Sequence, residues 1–250
     1  MKAFILAGGK DNIDYEGCNN KALLPIGDKL MVEYIIEALR KSKFIDGIAL
    51  IGDQKILRDK LDLDKDRDII LEEDKEMVDN VIKGLNYFIQ EERLLLITSD
   101  IPFITSDAID HFIQVSLDSG GNFTYPIIRE ETIVEKYPDM KRTYIRLKEG
   151  KFTGGNMSLI DPSIGQSLYD MAKYMIENRK KPWRMVKILG GGFLAQLLVG
   201  TLTIEKLENR LGSLLNINPK AIITPYAEVG NDVDKVGDIE RAGKYLRNIE

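Results

Sequence analysis

Lys2-Ala3-Phe4-Ile5-Leu6-Ala7-Gly8-Gly9 opens the chain with an uncharged apolar run that breaks into a glycine pair. Such a run, here Ala3–Ala7, reads as a strand covered on both faces, the habit of a parallel sheet. Working outward, short apolar runs return at Gly47–Ile51, Asp68–Leu71 and Leu94–Thr98. Between the first two strands, Met31, Tyr34, Ile35, Ala38 and Leu39 recur at helical spacing. Between the third and fourth, Met77, Val81, Leu85, Phe88 and Ile89 do the same, and a further helix is expected over Ser106–Val115. Strand and helix in alternation predict an α/β fold, Rossmann-like, around a mainly parallel sheet.

The second half changes character. Shorter strands are expected at Phe123–Ile127, Thr143–Leu147 and Met157–Ile160, with glycine and charge between them. From Pro162 to about Leu215 the pattern is mostly helical; a strand then returns at Ala221–Thr224, and a last helix begins near Asp238. The expectation is a single domain over 1–250 with a helical insertion at about 162–215, and no internal repeat is visible.

Composition removes several chemistries. The 250 residues carry 35 Lys and Arg against 40 Asp and Glu, a net charge of −5, so the whole molecule has no electrostatic reason to bind nucleic acid. One cysteine, Cys18, and one histidine, His111, leave no intrachain disulfide, no Cys-rich zinc site and no HExxH arrangement. His111, alone on a helix, reads as a packing or surface residue. The first apolar run is too short for a signal-peptide core, and a cytoplasmic chain is expected.

Ligands of open α/β sheets bind along the carboxyl edge, where Leu6, Ala7, Gly8 and Gly9 leave the first strand. Glycine there lets backbone N–H groups approach a phosphate or a base. A polar loop follows, from Lys10 to Asn20, and then Lys21-Ala22-Leu23-Leu24-Pro25-Ile26-Gly27. Neither GxxxxGK[ST] nor GxGxxG is present. A second strand end carries Thr98-Ser99-Asp100-Ile101-Pro102, which aims Asp100 at the same edge. One or two carboxylates plus substrate phosphate oxygens are the usual demand of Mg²⁺.

Together these elements resemble the opening signature of the MobA-like NTP transferase family, in which LAGG, a glycine-rich loop and K-x-L-x-P-x-x-G bind a nucleoside triphosphate. The resemblance covers roughly residues 1–160 and 220–245. It implies a sheet of the nucleotide-diphospho-sugar transferase (GT-A-like) type. It also implies nucleotide binding by Leu6, Ala7, Gly8, Gly9, Lys10 and Lys21, with Lys21 lying against the triphosphate as a point charge. The family's D-x-P matches Asp100 and Pro102 and implies that Asp100 holds Mg²⁺. Gly154-Gly155-Asn156 resembles an element that contacts the acceptor or metal, which points to Gly155 and Asn156 for the acceptor. Val233-Asp234-Lys235-Val236-Gly237-Asp238-Ile239 resembles the closing D-(V/I)-D-x-x-x-D pattern, whose last aspartate, Asp238, would be the second metal carboxylate; Asp238 is equally placed to cap the last helix. Asn80 and Gly84, on one helix, reach the nucleotide by the same analogy or pack that helix. The first loop departs from the family: Asp11, Asp14 and Glu16 stand there with no arginine, and Lys10 is the cation available to replace it.

The implied activity transfers a nucleoside monophosphate from an NTP to a phosphorylated or hydroxyl acceptor, with pyrophosphate released and Mg²⁺ required. Two alternatives stay open at this point. A nucleotide-sugar glycosyltransferase would carry D-x-D, and Asp62-Leu63-Asp64 does not follow an apolar strand. A degenerate nucleotide-binding module is suggested by the acidic first loop.

The insertion has its own signal. Arg179, Lys180, Lys181, Arg184 and Lys187 surround Trp183, and 17 uncharged residues follow from Ile188 to Ile204. Two readings stand side by side: an interfacial segment or amphiphile pocket giving peripheral membrane contact through 179–204, or a helical lobe packed on the sheet or across a homodimer interface.

Overall fold

The computed structural model describes residues 1–8, 20–64, 66–178 and 190–246. In chain order, β1 is Lys2–Leu6, β2 Pro25–Ile26, β3 Lys29–Leu30, α1 Met31–Lys41, β4 Gly47–Gly52 and α2 Gln54–Lys60. There follow β5 Asp68–Glu72, α3 Met77–Tyr87, β6 Leu94–Thr98, α4 Ser106–Asp118, β7 Phe123–Arg129 and α5 Glu130–Lys136. The remainder is β8 Ile145–Leu147, β9 Gly150–Gly154, β10 Met157–Ile160, α6 Gly165–Asn178, α7 Gly191–Leu198, α8 Ile204–Leu215, β11 Pro219–Ile223 and α9 Val236–Leu246.

One nine-stranded sheet organises these elements. Strands β5, β4, β1 and β6 lie side by side and parallel, as the charge-poor runs foretell. Antiparallel β10 then joins β6 to β7, and β11 runs parallel to β7. Along β7, Phe123 and Thr124 face β10 whereas Ile127 to Arg129 face β9, so residues 150–160 run as one path broken at Gly155 and Asn156. Beyond that break β9 and β8 extend as a hairpin.

The alternation of side chains splits the core between the two faces. Ala3 and Ile5, Ile48 and Leu50, and Leu95 and Ile97 point to one face, where Ile35, Leu39, Ile109, Phe112, Ile239 and Ala242 of α1, α4 and α9 cover them. Phe4, Ala49, Ile51 and Leu94 point the other way, toward Leu85 and Phe88 on and just after α3 and Leu168 of α6. Gly84 is needed there: a Cβ would stand 2.3 Å from the Phe4 ring, so the absence of a side chain sets how closely α3 lies on β1. Farther along that face Leu147, Phe152 and Leu202 form a smaller cluster with Phe193 and Leu197 of α7.

Several expectations change. The strand expected at 143–147 forms only over Ile145–Leu147, and the glycine-bounded β9 is a strand where the sequence pattern predicts none. Helices α2 and α5, seven residues each, are too short to show a helical period. Helices do fill the described part of 162–215, whereas the basic cluster from Arg179 to Lys187 lies outside the described residues.

Candidate functional site

The site forms where β1 and β6 end. Backbone pairing carries past β1, with Ala7 N–H donating to Ile51 O at 2.9 Å. Asn20 then ties the strand end to the next turn: its Nδ2 donates to Ala7 O, and its Oδ1 accepts from Ala22 N–H as an N-cap. Ala22, Leu23 and Leu24 are buried, so the turn Lys21–Leu23 is anchored by apolar groups while Lys21 is directed back over the edge. A two-residue turn at Gly27, with φ +67, closes the β2–β3 hairpin that leads into α1.

Lys21 Nζ lies 2.7 Å from Asp100 Oδ2 and 2.5 Å from Asp234 Oδ1. Its side chain is only 11% exposed. Burial alone would lower its pKa, but Asp100 and Asp234 outweigh that and hold the ammonium above its usual 10.5. Thr98 Oγ1 donates to Asp100 Oδ1 at 2.5 Å, which fixes the carboxylate's rotation.

The loop before α9 brings the other carboxylates. Val233 N–H donates to Asp100 O at 2.9 Å, pinning residues 231–235 against the end of β6. Asp232 and Asp234 flank that anchor and present oxygens which, with one from Asp100, all lie within 4.8 Å of one another. Arg142 pairs with Asp232. Three carboxylates thus face two cations, which leaves the cluster net negative. Oxygen donors without histidine or cysteine suit a hard divalent cation and not a softer metal.

Asp238 stands outside this group. Its Oδ2 accepts from Lys235 N–H at 3.1 Å and its Oδ1 from Arg241 at 2.9 Å, the geometry of a residue that reaches back to cap its own helix. Asp238 thus caps its helix, and the carboxylates grouped with Asp100 are those of Asp232 and Asp234. The available signal was D-V-D: two carboxylates two apart on an extended segment fall on one side of it.

The remaining expected residues divide. Gly8 lies at the edge against the Glu73 carboxylate, where a Cβ would come within 2.0 Å of Oε2. Leu6 is partly buried on the α3 face and Ala7 fully buried, so only their backbones remain for a ligand. Gly9 and Lys10 lie outside the described residues. Asn80, 6% exposed, accepts from Asp74 N–H and donates to Asp74 O, clasping the loop after β5. Asn80 and Gly84 therefore both have packing roles here. Asn156 links the site's walls: its N–H donates to Val229 O, and its carbonyl accepts from Thr98 N–H. Gly155 is tight between Val229 and Pro126, with a would-be Cβ 2.7 and 2.8 Å from their side chains. Asp62 and Asp64 precede β5 at the opposite edge, in a cleft with Arg40 and Arg67, and contribute no carboxylate to this site.

The MobA-like NTP transferase domain family matches residues 3–186. Among solved structures, a hypothetical transferase from Thermus thermophilus is similar with 32% identity and TM-score 0.81, over 95% of this chain and 98% of that one. A CMP:2-keto-3-deoxy-manno-octonic acid synthetase complexed with CTP shares the fold at TM-score 0.65 and 12% identity, over 100% and 98% of the two chains. The 4-diphosphocytidyl-2C-methyl-D-erythritol synthase of Anaerococcus prevotii shares it at TM-score 0.63 and 14% identity, over 98% and 97%. No curated protein matches the sequence.

Proposed function

The chain belongs to the MobA-like NTP transferase family and is a nucleotidyltransferase, and on that premise we propose that it moves a nucleoside monophosphate from an NTP to a phosphorylated or hydroxyl acceptor, releasing pyrophosphate with the help of Mg²⁺. The observation that carries this reading is the convergence of Lys21, Asp100, Asp232 and Asp234 at the ends of β1 and β6. We take residues 1–250 as one catalytic unit into which the helices between 162 and 215 are inserted.

Each residue has a task. Gly8 supplies backbone close to the nucleotide without a side chain in the way. Asp100, Asp232 and Asp234 are the carboxylates that would hold Mg²⁺, which when bound supplies neutralising charge to phosphate oxygens. Lys21, whose ammonium pairs with Asp100 and Asp234, would lie against the triphosphate. Its charge offsets what accumulates on the departing pyrophosphate, a contribution that grows toward the transition state. Asn156 and Gly155 form the wall on the acceptor's side. Positioning and electrostatics then suffice, and no covalent nucleophile on the protein is required.

The test is pyrophosphate release from each of the four NTPs with a panel of phosphomonoester and hydroxyl acceptors, with Mg²⁺ and with EDTA. Release that depends on both acceptor and Mg²⁺ is expected. Absence of NTP binding and of release under every condition would remove the reading.

A further inference from the structure

An apolar cavity of about 440 Å³ lies between the sheet and helices α7 and α8. Phe123, Tyr125 and Ile127 of β7 form its floor, and Leu197, Leu207 and Leu211 form its roof. Its charged lining is already satisfied: Glu208 accepts from Lys220 Nζ at 3.1 Å and from Ala221 N–H at 2.8 Å. A sugar or a base placed there would leave its polar groups without partners. A hydrocarbon would not. An apolar cavity of about 150 Å³ accommodates benzene, so this one has room for a chain of roughly ten to fifteen carbons.

The cavity wall is linked to the site through the chain itself. Gly154, in its wall, is followed directly by Gly155 and Asn156, which border the carboxylates. A Cβ on Gly154 would fall 2.4 Å from the Tyr125 hydroxyl, which places that polar tip at the cavity end nearest the site. The Arg142 charge acts on Tyr125 from one side and pairs with Asp232 on the other. Among the described residues Arg142 Nε is buried without a hydrogen-bond partner, a donor available to an anionic head. Ile145, in the cavity lining, is 55% exposed and marks where the cavity opens to the surface.

Resting on the nucleotidyltransferase reading above, we infer that the cavity beneath α7 and α8 receives the hydrocarbon chain of the acceptor, an alkyl or prenyl monophosphate whose phosphate lies at Arg142. In the transfer, an oxygen of that phosphate dianion forms the new bond to the α-phosphorus, and the bond from that phosphorus to the β-bridging oxygen breaks. Pyrophosphate leaves with the electron pair. The attacking oxygen carries no proton, so no general base is needed.

The experiment is calorimetric titration of the full chain with ethyl, hexyl and decyl phosphate below their aggregation concentrations. Affinity should rise about fourfold per added methylene and level off once the cavity is filled. Leu197→Trp should weaken decyl phosphate by about tenfold or more and leave ethyl phosphate unchanged, while Leu211→Ala should move the plateau to longer chains. Circular dichroism reports whether each variant is folded, and the two variants act in opposite directions. Affinity independent of chain length in the wild-type chain overturns the proposal, as does a dimer broken by Leu198→Glu in a protein that binds no alkyl phosphate. Cosedimentation with phosphatidylcholine vesicles, with and without phosphatidic acid, identifies the source. Cosedimentation that Leu197→Trp abolishes points to a chain drawn from a bilayer, and a supernatant protein that binds decyl phosphate points to a soluble acceptor. If pyrophosphate is released with ethyl phosphate but chain length has no effect, the cavity proposal alone falls. If decyl phosphate binds and no NTP does, the nucleotidyltransferase reading falls, and with it the acceptor role.

Discussion

The parallel half of the sheet, β5-β4-β1-β6, and the antiparallel half from β10 outward solve the same burial problem differently. In the parallel half, helices cover both faces so closely that Phe4 and Leu50 have no exposed surface and a glycine is required where α3 crosses β1. No ligand can lie on such a face, and chemistry is displaced to the strand ends, where Gly8, Lys21 and Asp100 collect. In the antiparallel half, α7 and α8 stand away from the sheet and leave a cavity on its face. Dense packing thus yields a charged edge, and looser packing yields an apolar pocket. The segment from Gly154 to Asn156 connects the two.

The comparison is broken most directly at the edge. Asp100→Asn is expected to lower Mg²⁺-dependent pyrophosphate release by about a thousandfold, a loss of about 4 kcal/mol in transition-state stabilisation. Thermal unfolding should stay near wild type, and turnover within a few-fold of wild type would mean that the reaction lies elsewhere. The packing contrast comes next: Leu50→Ala should cost about 2–5 kcal/mol by urea unfolding, whereas Leu197→Ala, in the half with the cavity, should cost below about 1.5 kcal/mol. Equal costs would erase the distinction between the halves.

Lys21→Ala sharpens the account of the edge. Turnover should fall by about thirtyfold, about 2 kcal/mol, with NTP affinity changed far less. Mn²⁺ affinity of the nucleotide-free protein, followed by electron paramagnetic resonance, should rise, because the ammonium no longer competes for Asp100 and Asp234. Asp238→Ala should cost about 1 kcal/mol through loss of the α9 cap and leave Mg²⁺ dependence intact. A lost metal requirement would return Asp238 to the site. The smallest effect is in pH. The folded-state pKa of Lys21 is raised, so its stabilising pairs are fully present below the unfolded value of 10.5 and are lost as pH rises through the folded value. The stability difference between wild type and Lys21→Met should be constant from neutral pH to about 10 and shrink above that.

The sequence by itself determined the parallel half. The runs Ala3–Ala7 and Leu94–Thr98 carry no charge because both faces are covered, and helices α1, α3 and α4 are long enough for their period to show. Asp100 was legible for the same reason, since a residue just beyond such a strand has one edge to face, whereas Lys21 was marked by the resemblance of its motif to the family's. What only the tertiary structure decided is long-range. Asp232 and Asp234 join Asp100 because a backbone bond from Val233 crosses 133 positions of chain to the Asp100 carbonyl. Asp238, four residues past Asp234, turns into its own helix instead. The cavity lay equally beyond the sequence. Phe193 and Leu197 on α7 read as apolar whether they fill a core or line a space, and the distance at which α7 and α8 stand from β7 is set by contacts with β8, β9 and β11, not by any local pattern.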